Sequence, residues 1–495
     1  MGMQMTDSAK LTDAPIRACR QWSTIPWDAV ENSVQRLQVR IAKAVKAKKY
    51  RKAQSLQWLL IHSRHAKLLA VRRVTTNRGK NTPGVDGVVW KTARQKLEAV
   101  GKLRRRGYAP QPLRRIYIPK KDGRKRPLSI PTMHDRAMQA LYKMALDPVA
   151  ETTADPNSYG FRSHRRCADA IGQCFNTLAK KISPAWILEG DIKACFDEIS
   201  HRWILDNILL DRKVLGKWLK AGYIEEKTVY PTRKGTPQGG IISPTIANMV
   251  LDGLEPAAKA SVPSRLHGNI RSKINVIRYA DDFVITGDSQ ELLETKVKPA
   301  IETFLKQRGL RLSEAKTRVT HINDGFNFLS QNVRKYKGKL LIKPSKDSIR
   351  SVLSNITQTI RKYRGVAAEV LIGALNPILR GWANYHRHVV AKRTFSVISN
   401  HLYRQLWKWM RRRHGNKNKH WLACKYWLIG SKPWVFSARV KKKGIGRIYE
   451  LLHPHRVVIV RHTKIKGAAN PYDPAWASYF QNRKSVLGRQ RMCLL

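Results

Sequence analysis

Two long tracts of this chain contain no acidic residue: the stretch between Glu31 and Asp86, with 14 Lys or Arg at positions 36–80, and positions 370–449, with 18. Of the 34 Asp and Glu, 28 fall between 86 and 369, so the formal net charge of +61 at pH 7 is concentrated in two arms around a more balanced centre. Charge of one sign at this density is not buried, and it repels itself unless a polyanion offsets it. The arms must therefore lie at the surface, and nucleic acid is the commonest partner that fits. A ribosome-like structural protein is the plain alternative. The centre is where carboxylate chemistry could sit. With 495 residues, 42% of them hydrophobic and 14 of them Trp, the chain can fill several cores. That excludes a small single domain and wholesale disorder, and implies two to four globular units.

The longest apolar runs, such as Trp186 to Leu188 and Phe283 to Ile285, stop far short of the roughly 20 residues a membrane span needs. The N-terminus has no signal-peptide pattern. No membrane partner is expected, and the location expected is cytoplasmic, nucleoid-associated in a bacterium, or organellar. Six cysteines (Cys19, Cys167, Cys174, Cys195, Cys424, Cys493) form no C-x-x-C pair and read as reduced thiols, not as a disulfide framework or a zinc site.

The first arm reads as helix. Asp28 with Glu31 three residues later has the form of a capping box, and Val34, Leu37, Ile41 and Val45 follow at helical spacing opposite a nearly all-positive face. A solvated face ordinarily mixes signs; one without acid is better explained by a phosphate backbone. In the second arm Leu402, Leu406, Trp409 and Met410 form an apolar stripe on a helix ending in Arg411, Arg412 and Arg413. These three are candidate RNA-binding residues, although cations also suit a helix C-terminus. Asn416 to Lys419 and Lys441 to Lys443 have no such capping role. Most Trp among these cations read as core, not as stacking platforms for bases. His386 with His388, and His453 with His455, have strand-face spacing and no Cys or carboxylate beside them, which argues against metal binding.

In the centre, Trp186 to Asp191 reads as a buried strand ending at Asp191, after which Ser200 caps a helix containing Trp203, Ile204 and Leu205. Ninety residues later, Val276 to Ile285 places Asp281 and Asp282 between two short apolar β runs, which predicts a tight hairpin with both carboxylates at its tip. A purely structural turn more often uses Asn-Gly or Asp-Gly, so something cationic should neutralise the pair. Hard oxygen ligands favour Mg²⁺, and two such ions about 3.5 to 4 Å apart can activate an attacking hydroxyl and stabilise a leaving pyrophosphate. The chemistry suggested is nucleotidyl transfer.

Tyr279-Ala280-Asp281-Asp282 resembles the active-site box of reverse transcriptases, and Gly190 to Asp197 resembles their preceding metal-binding motif. Between them, Gly235-Thr236-Pro237-Gln238-Gly239-Gly240 to Pro244 resembles the template- and nucleotide-positioning motif. Thr82 to Gly87, Ile118-Pro119-Lys120 through Pro131, and Ser158 to Arg162 resemble the fingers motifs of group II intron-encoded proteins. Leu312 to Thr317 and Phe328-Leu329 resemble the closing palm motifs, and Gly381 to His386 the maturase, or thumb, region. The ordered boxes cover roughly residues 28 to 484.

The resemblance implies an α+β right-hand polymerase. Residues 1–27 would be an N-terminal tail, 28–342 fingers and palm, 343–430 a helical thumb, and 431–495 a basic DNA-binding region with no endonuclease module. It implies that Asp191, Asp281 and Asp282 hold two Mg²⁺ ions, that Lys120 and Arg126 grip the triphosphate, and that Phe196 excludes a 2′-OH. Gln238 would line the nascent base pair, and Lys316 would be a general acid for pyrophosphate. Cys195 reads as packing. The implied partners are group II intron RNA, target DNA and deoxynucleoside triphosphates. Rival readings are a retron or diversity-generating reverse transcriptase, which needs no long thumb, and a non-catalytic RNA-binding splicing cofactor, which needs no Asp triad.

Overall fold

The computed structural model describes residues 22–492, apart from 120–122, 124, 264–271, 432 and 443–444. Cys19, Lys120, Lys443 and Cys493 therefore lie outside the described residues. The first arm is three helices, Trp27–Lys46, Tyr50–His62 and Arg64–Thr76. The apolar spacing turns Val34, Ile41 and Val45 inward, against the long helix Met133–Thr153. The expected capping box is absent: Pro26 is the N-cap residue, Asp28 lies within the first turn, and Glu31 pairs instead with Arg72 at 2.9 Å. Pro26 has no side-chain acceptor, so the first-turn N–H groups are left without a side-chain cap. Beside these helices β1 (Leu113–Pro119) and β2 (Lys125–Ile130) form a hairpin. β1 also runs parallel to β4 (Tyr223–Glu225), which pairs with β5 (Thr228–Tyr230).

The central sheet contains β3 (Trp186–Asp191), β6 (Asn275–Tyr279), β7 (Asp282–Gly287) and β8 (Arg318–His321), antiparallel in the order β6-β7-β3-β8. β3, β6 and β7 carry apolar residues on both faces because both faces are covered. Leu188, Val276, Phe283 and Ile285 join the core shared with the N-terminal helices, while Ile187, Ile277 and Val284 join a second core on the opposite face. The two-residue period of a strand then fixes where the carboxylates go. Asp191 has the parity of Ile187, and Asp282 that of Val284, so both emerge on the second face.

That face is met by the sheet of β9 (Phe326–Phe328), β10 (Gln331–Tyr336) and β11 (Lys339–Pro344), in the order β11-β10-β9. After Pro344 the chain turns helical, with Ser345 capping Lys346–Lys362 through Ser348 N–H. The helices Ala368–His386, Lys392–Arg413 and Lys419–Tyr426 follow. Leu402, Leu406, Trp409 and Met410 are all buried in their shared core. His386 ends a helix; it does not sit on a strand. The segment that follows Ser431 divides in two. The hairpin of β12 (Ser437–Lys442) and β13 (Ile445–Glu450) packs on those helices, whereas residues 457–483 return to the central sheet. There Asp169, fully buried in the helix Cys167–Leu178, meets His462 at 2.9 Å and Arg483 at 2.8 Å and accepts a bond from Ile465 N–H. Burial alone would raise the Asp169 pKa, but the His462 bond and the Arg483 charge hold it below the usual carboxylate range. Among the described residues, no helix is long and apolar enough to cross a membrane.

Candidate active site

β6 and β7 are joined by a two-residue loop, Ala280 and Asp281, with Tyr279 paired to Asp282 across the hairpin. This register leaves one of the two carboxylates, Asp281, in the loop. The expectation of both Asp at the tip is corrected: Asp282 is the first residue of β7, directly opposite Asp191 at the end of β3. Ala280 adopts a left-handed φ of 57°, a conformation that a residue with a side chain holds only when its surroundings impose it. Those surroundings are buried and polar. Arg278 is ion-paired to Asp252 at 2.5 Å and also reaches the Ala280 carbonyl. Gly160 lies so close beneath the loop that a Cβ there would stand 2.4 Å from Ala280 N.

Two of the three carboxylates bind their protons more tightly than usual. Burial, then the charges of Asp281 and Asp191, pushes Asp282 up to about 7, and burial with the Asp191 charge raises Asp281. Lys316 supplies the opposing charge, with Nζ 2.9 Å from Asp191 Oδ2. It is placed there by the chain: Ser313 N–H donates to the Asp191 carbonyl, and the turn that follows carries Lys316 over the strand end. The bond to Asp191 raises the Lys316 pKa, so the ammonium keeps its proton across the ordinary pH range. A pocket of about 170 Å³ is lined by Asp191, Asp282, Lys316, Phe328 and Leu329.

Above the hairpin, Arg126 of β2 donates to Gln238 Oε1 at 2.9 Å, and Gln238 Nε2 donates to Asp197 at 3.0 Å. Gly239, at φ 126°, lets this loop lie against β2, where a Cβ would stand 2.4 Å from Ser129 O. Phe196 is half-buried, its carbonyl held by Thr236 N–H at 2.6 Å and its ring edge-on to Phe161 at 6.3 Å. Asp197 and the exposed Phe161 were not singled out from the sequence, although each stands inside a quoted motif. Cys195 is buried, and burial pushes its thiol up to about 12, as packing requires. Arg411, Arg412 and Arg413 do not join this site. They end the helix Lys392–Arg413, and Arg413 donates to the Val366 carbonyl at 2.7 Å.

The donors are hard oxygens, and the raised pKa values of Asp281 and Asp282 reflect a crowding of negative charge that a divalent cation offsets. The residues fit such an ion in chemistry but are not preassembled around one. Among the described residues, no three His, Cys, Asp or Glu side chains stand in a ready metal-binding cluster. A stability test follows from the raised pKa. Folded Asp282 keeps its proton to about pH 7, whereas unfolded Asp loses it near pH 3.9, so this residue's contribution destabilises the fold progressively as pH rises from about 4 to 7. Asp282 is solvent-exposed at the strand end, so water screens part of this effect; without added metal, Asp282→Asn should therefore melt only slightly higher than wild type at pH 8, by about a degree, and close to wild type at pH 4.5. A gain independent of pH would show that charge is not its source.

Three family models match the chain: reverse transcriptase (RNA-dependent DNA polymerase) at residues 118–333, the N-terminal domain of reverse transcriptase at 22–103, and the group II intron maturase-specific domain at 349–427. Protein YkfC of Escherichia coli K12 is 31% identical over 61% of this chain and 90% of its own length. The chain belongs to the group II intron-encoded reverse transcriptase/maturase family. The group II intron-encoded protein LtrA of Lactococcus lactis is 28% identical over 64% of this reverse transcriptase and 68% of LtrA. The 91 kDa protein in the cob intron of Schizosaccharomyces pombe is 26% identical over 67% and 50%. The chain is thus an RNA-directed DNA polymerase and splicing maturase. The maturase-specific match disfavours the retron and diversity-generating readings, and the reverse transcriptase match disfavours a non-catalytic RNA binder. As a member of the family it falls among right-hand polymerases whose chemistry uses divalent metal.

Proposed function

We propose that this reverse transcriptase copies its group II intron RNA into DNA at Asp191, Asp281 and Asp282, with two Mg²⁺ ions held by those carboxylates. The observation that carries the reading is the Asp191 and Asp282 cross-strand pair, with Asp281 one residue away and Lys316 bonded to Asp191. When bound, Mg²⁺ supplies activation of the attacking 3′-hydroxyl and stabilisation of the leaving pyrophosphate. The chain's own groups do the rest. Arg126 offers its guanidinium fork to the incoming triphosphate, with Lys120 as its partner in that grip. Gln238 bears on the nascent pair from a loop bonded to the Asp197 carboxylate. Lys316, kept protonated by its ion pair, donates to the departing pyrophosphate oxygen. Residues 343–430 act as the thumb, Arg411 and Arg412 among its RNA contacts. Within 431–495, the β12–β13 hairpin serves target DNA.

Phe196 sets the sugar. Its ring is wedged against Phe161 and its backbone is pinned to the 235–239 loop, so the wall cannot yield to a 2′-OH. Phe196→Ala should raise ribonucleotide incorporation relative to deoxyribonucleotide by about a hundredfold, the order that a lost steric exclusion permits. Single-nucleotide addition on an intron RNA template measures both rates. An unchanged ratio would reassign Phe196 to the core, and failure of the wild type to extend any primer would overturn the reading itself.

A further inference from the structure

The motif Gly381 to His386 sits in the maturase domain, yet its polar side chains reach towards the polymerase. Trp382 Nε1 donates to Ser348 Oγ at 3.1 Å, and Ser348 Oγ lies 3.0 Å from His386 Nε2. His386 Nδ1 lies 3.1 Å from Gln331 Oε1, the first residue of β10. Burial pushes the His386 pKa down to about 3, so the ring is neutral and this relay fixes its tautomer. Tyr385 goes furthest: its hydroxyl donates to the Leu329 carbonyl at 2.8 Å.

Leu329 and Ser330 are the two-residue loop between β9 and β10, and both have left-handed φ, 48° and 61°. Natural loops of this kind use Asn-Gly; a Leu-Ser loop costs on the order of 1 kcal/mol or more per residue and persists only when over-determined from outside. Two bonds supply that constraint directly: Tyr385 O–H to Leu329 O, and Ser345 N–H to Ser330 O at 3.0 Å. The loop is also a partition. Leu329 lines the pocket of Asp191, Asp282 and Lys316, and Ser330 lines a cavity of about 690 Å³ shared with Ser348, Trp382 and Tyr385. On its other side, Tyr385 borders one cavity together with Cys167 and Tyr279, where burial and then the neighbouring Cys167 thiol raise the pKa of both hydroxyls. Tyr279 is the last residue of β6 before the Ala280-Asp281 loop.

We propose that Tyr385 is a positioning residue for polymerisation, tying the maturase helix at once to the Leu329 wall of the catalytic pocket and, through Cys167, to the base of the Asp281 hairpin. One hydroxyl thereby makes the seating of that helix and the width of the pocket a single adjustment. The inference rests on the assignment of Asp191, Asp281 and Asp282 as the reacting carboxylates.

The test uses the full chain on a primed RNA template. Tyr385→Phe keeps the ring and deletes the hydroxyl. At saturating primer–template and deoxynucleotide, its single-turnover addition rate should fall by about tenfold, since displacements near 1 Å at a reacting centre can cost up to about a hundredfold. The deoxynucleotide KM, the intron RNA affinity and the melting temperature should stay near wild type. Cys167→Ser, which retains a hydrogen-bonding hydroxyl, should extend faster than Cys167→Ala. A folded Tyr385→Phe that extends within twofold of wild type would overturn the proposal, as would a loss expressed only in RNA affinity. If Tyr385→Phe fails to fold, equal rates for the two Cys167 variants overturn it. Asp281→Ala in the same assay separates the two readings: full extension by that variant would refute the carboxylate assignment, not the tether.

Discussion

Asp281→Ala is expected to reduce primer extension on an RNA template by at least about 10³-fold, a barrier increase of roughly 4 kcal/mol, while intron RNA binding stays within about twofold. The asymmetry follows from where the charges lie. Asp281 projects from a two-residue loop, and its pKa is raised by burial and by Asp191, so its carboxylate is costly to keep ionised without a cation and most valuable with one. The exposed cations of the first arm lie on the helices Trp27–Lys46, Tyr50–His62 and Arg64–Thr76 and the turns beside them, and none of them lines the pocket of Asp191 and Asp282. The hairpin's buried support, Arg278 with Asp252 and the close approach of Gly160, does not use the Asp281 side chain, so the loop should keep its shape without it. Primer extension run beside filter binding separates the two effects. Extension at more than a tenth of the wild-type rate would remove Asp281 from the chemistry, and a parallel loss of binding would mean that the substitution damages the fold.

The parts of this site legible in the sequence were those written in local pattern. A strand's end at Asp191, a tight hairpin between the two apolar runs of Val276 to Ile285, and the Ser200 cap all follow from spacing and side-chain chemistry, and all are present, although the tip falls at Ala280 and Asp281. What could not be read was anything fixed by contacts between distant segments. The position of Asp282 inside β7 depends on its register with β3, some ninety residues earlier. The Lys316 bond to Asp191 spans 125 residues, and the Asp197 to Gln238 bond spans 41. The Asp28 and Glu31 pattern failed for the opposite reason. It is a purely local signal, and tertiary pairing with Arg72 claimed Glu31 first. The return of residues 457–483 to the central sheet is held by a buried Asp169, an acid that pattern alone would place at the surface.

The same distinction governs the arms. Of the 14 Lys and Arg at positions 36–80, all but Lys67 and Arg72 are exposed, and among the described residues the ion pairs formed there are Lys46 with Asp473 and Arg72 with Glu31. Cations left in solvent at this density should meet phosphates, and each phosphate met releases counterions, so the affinity for intron RNA should fall by about 10³ to 10⁵ between 50 and 200 mM salt if six to ten contacts form. The Arg411, Arg412 and Arg413 cluster allows a finer test, because the three are not equivalent. All three are exposed, but Arg413 donates to the Val366 carbonyl and lies 5.4 Å from the Trp409 ring centre, whereas Arg411 and Arg412 show no hydrogen bond or ion pair among the described residues. Replacing Arg411 and Arg412 together by Ala should lower the slope of log K against log salt by about 1.4 to 1.8, at roughly 0.7 to 0.9 per phosphate. Arg413→Ala should leave the slope unchanged and lower the melting temperature only slightly, by about a degree, since the Val366 carbonyl accepts an exposed bond that water can replace. Titrations at several salt concentrations, paired with thermal melts, read both quantities. Should the Arg411 and Arg412 double variant keep the wild-type slope, these residues only complement the helix dipole, and the RNA contacts of this protein must be sought along the N-terminal helices.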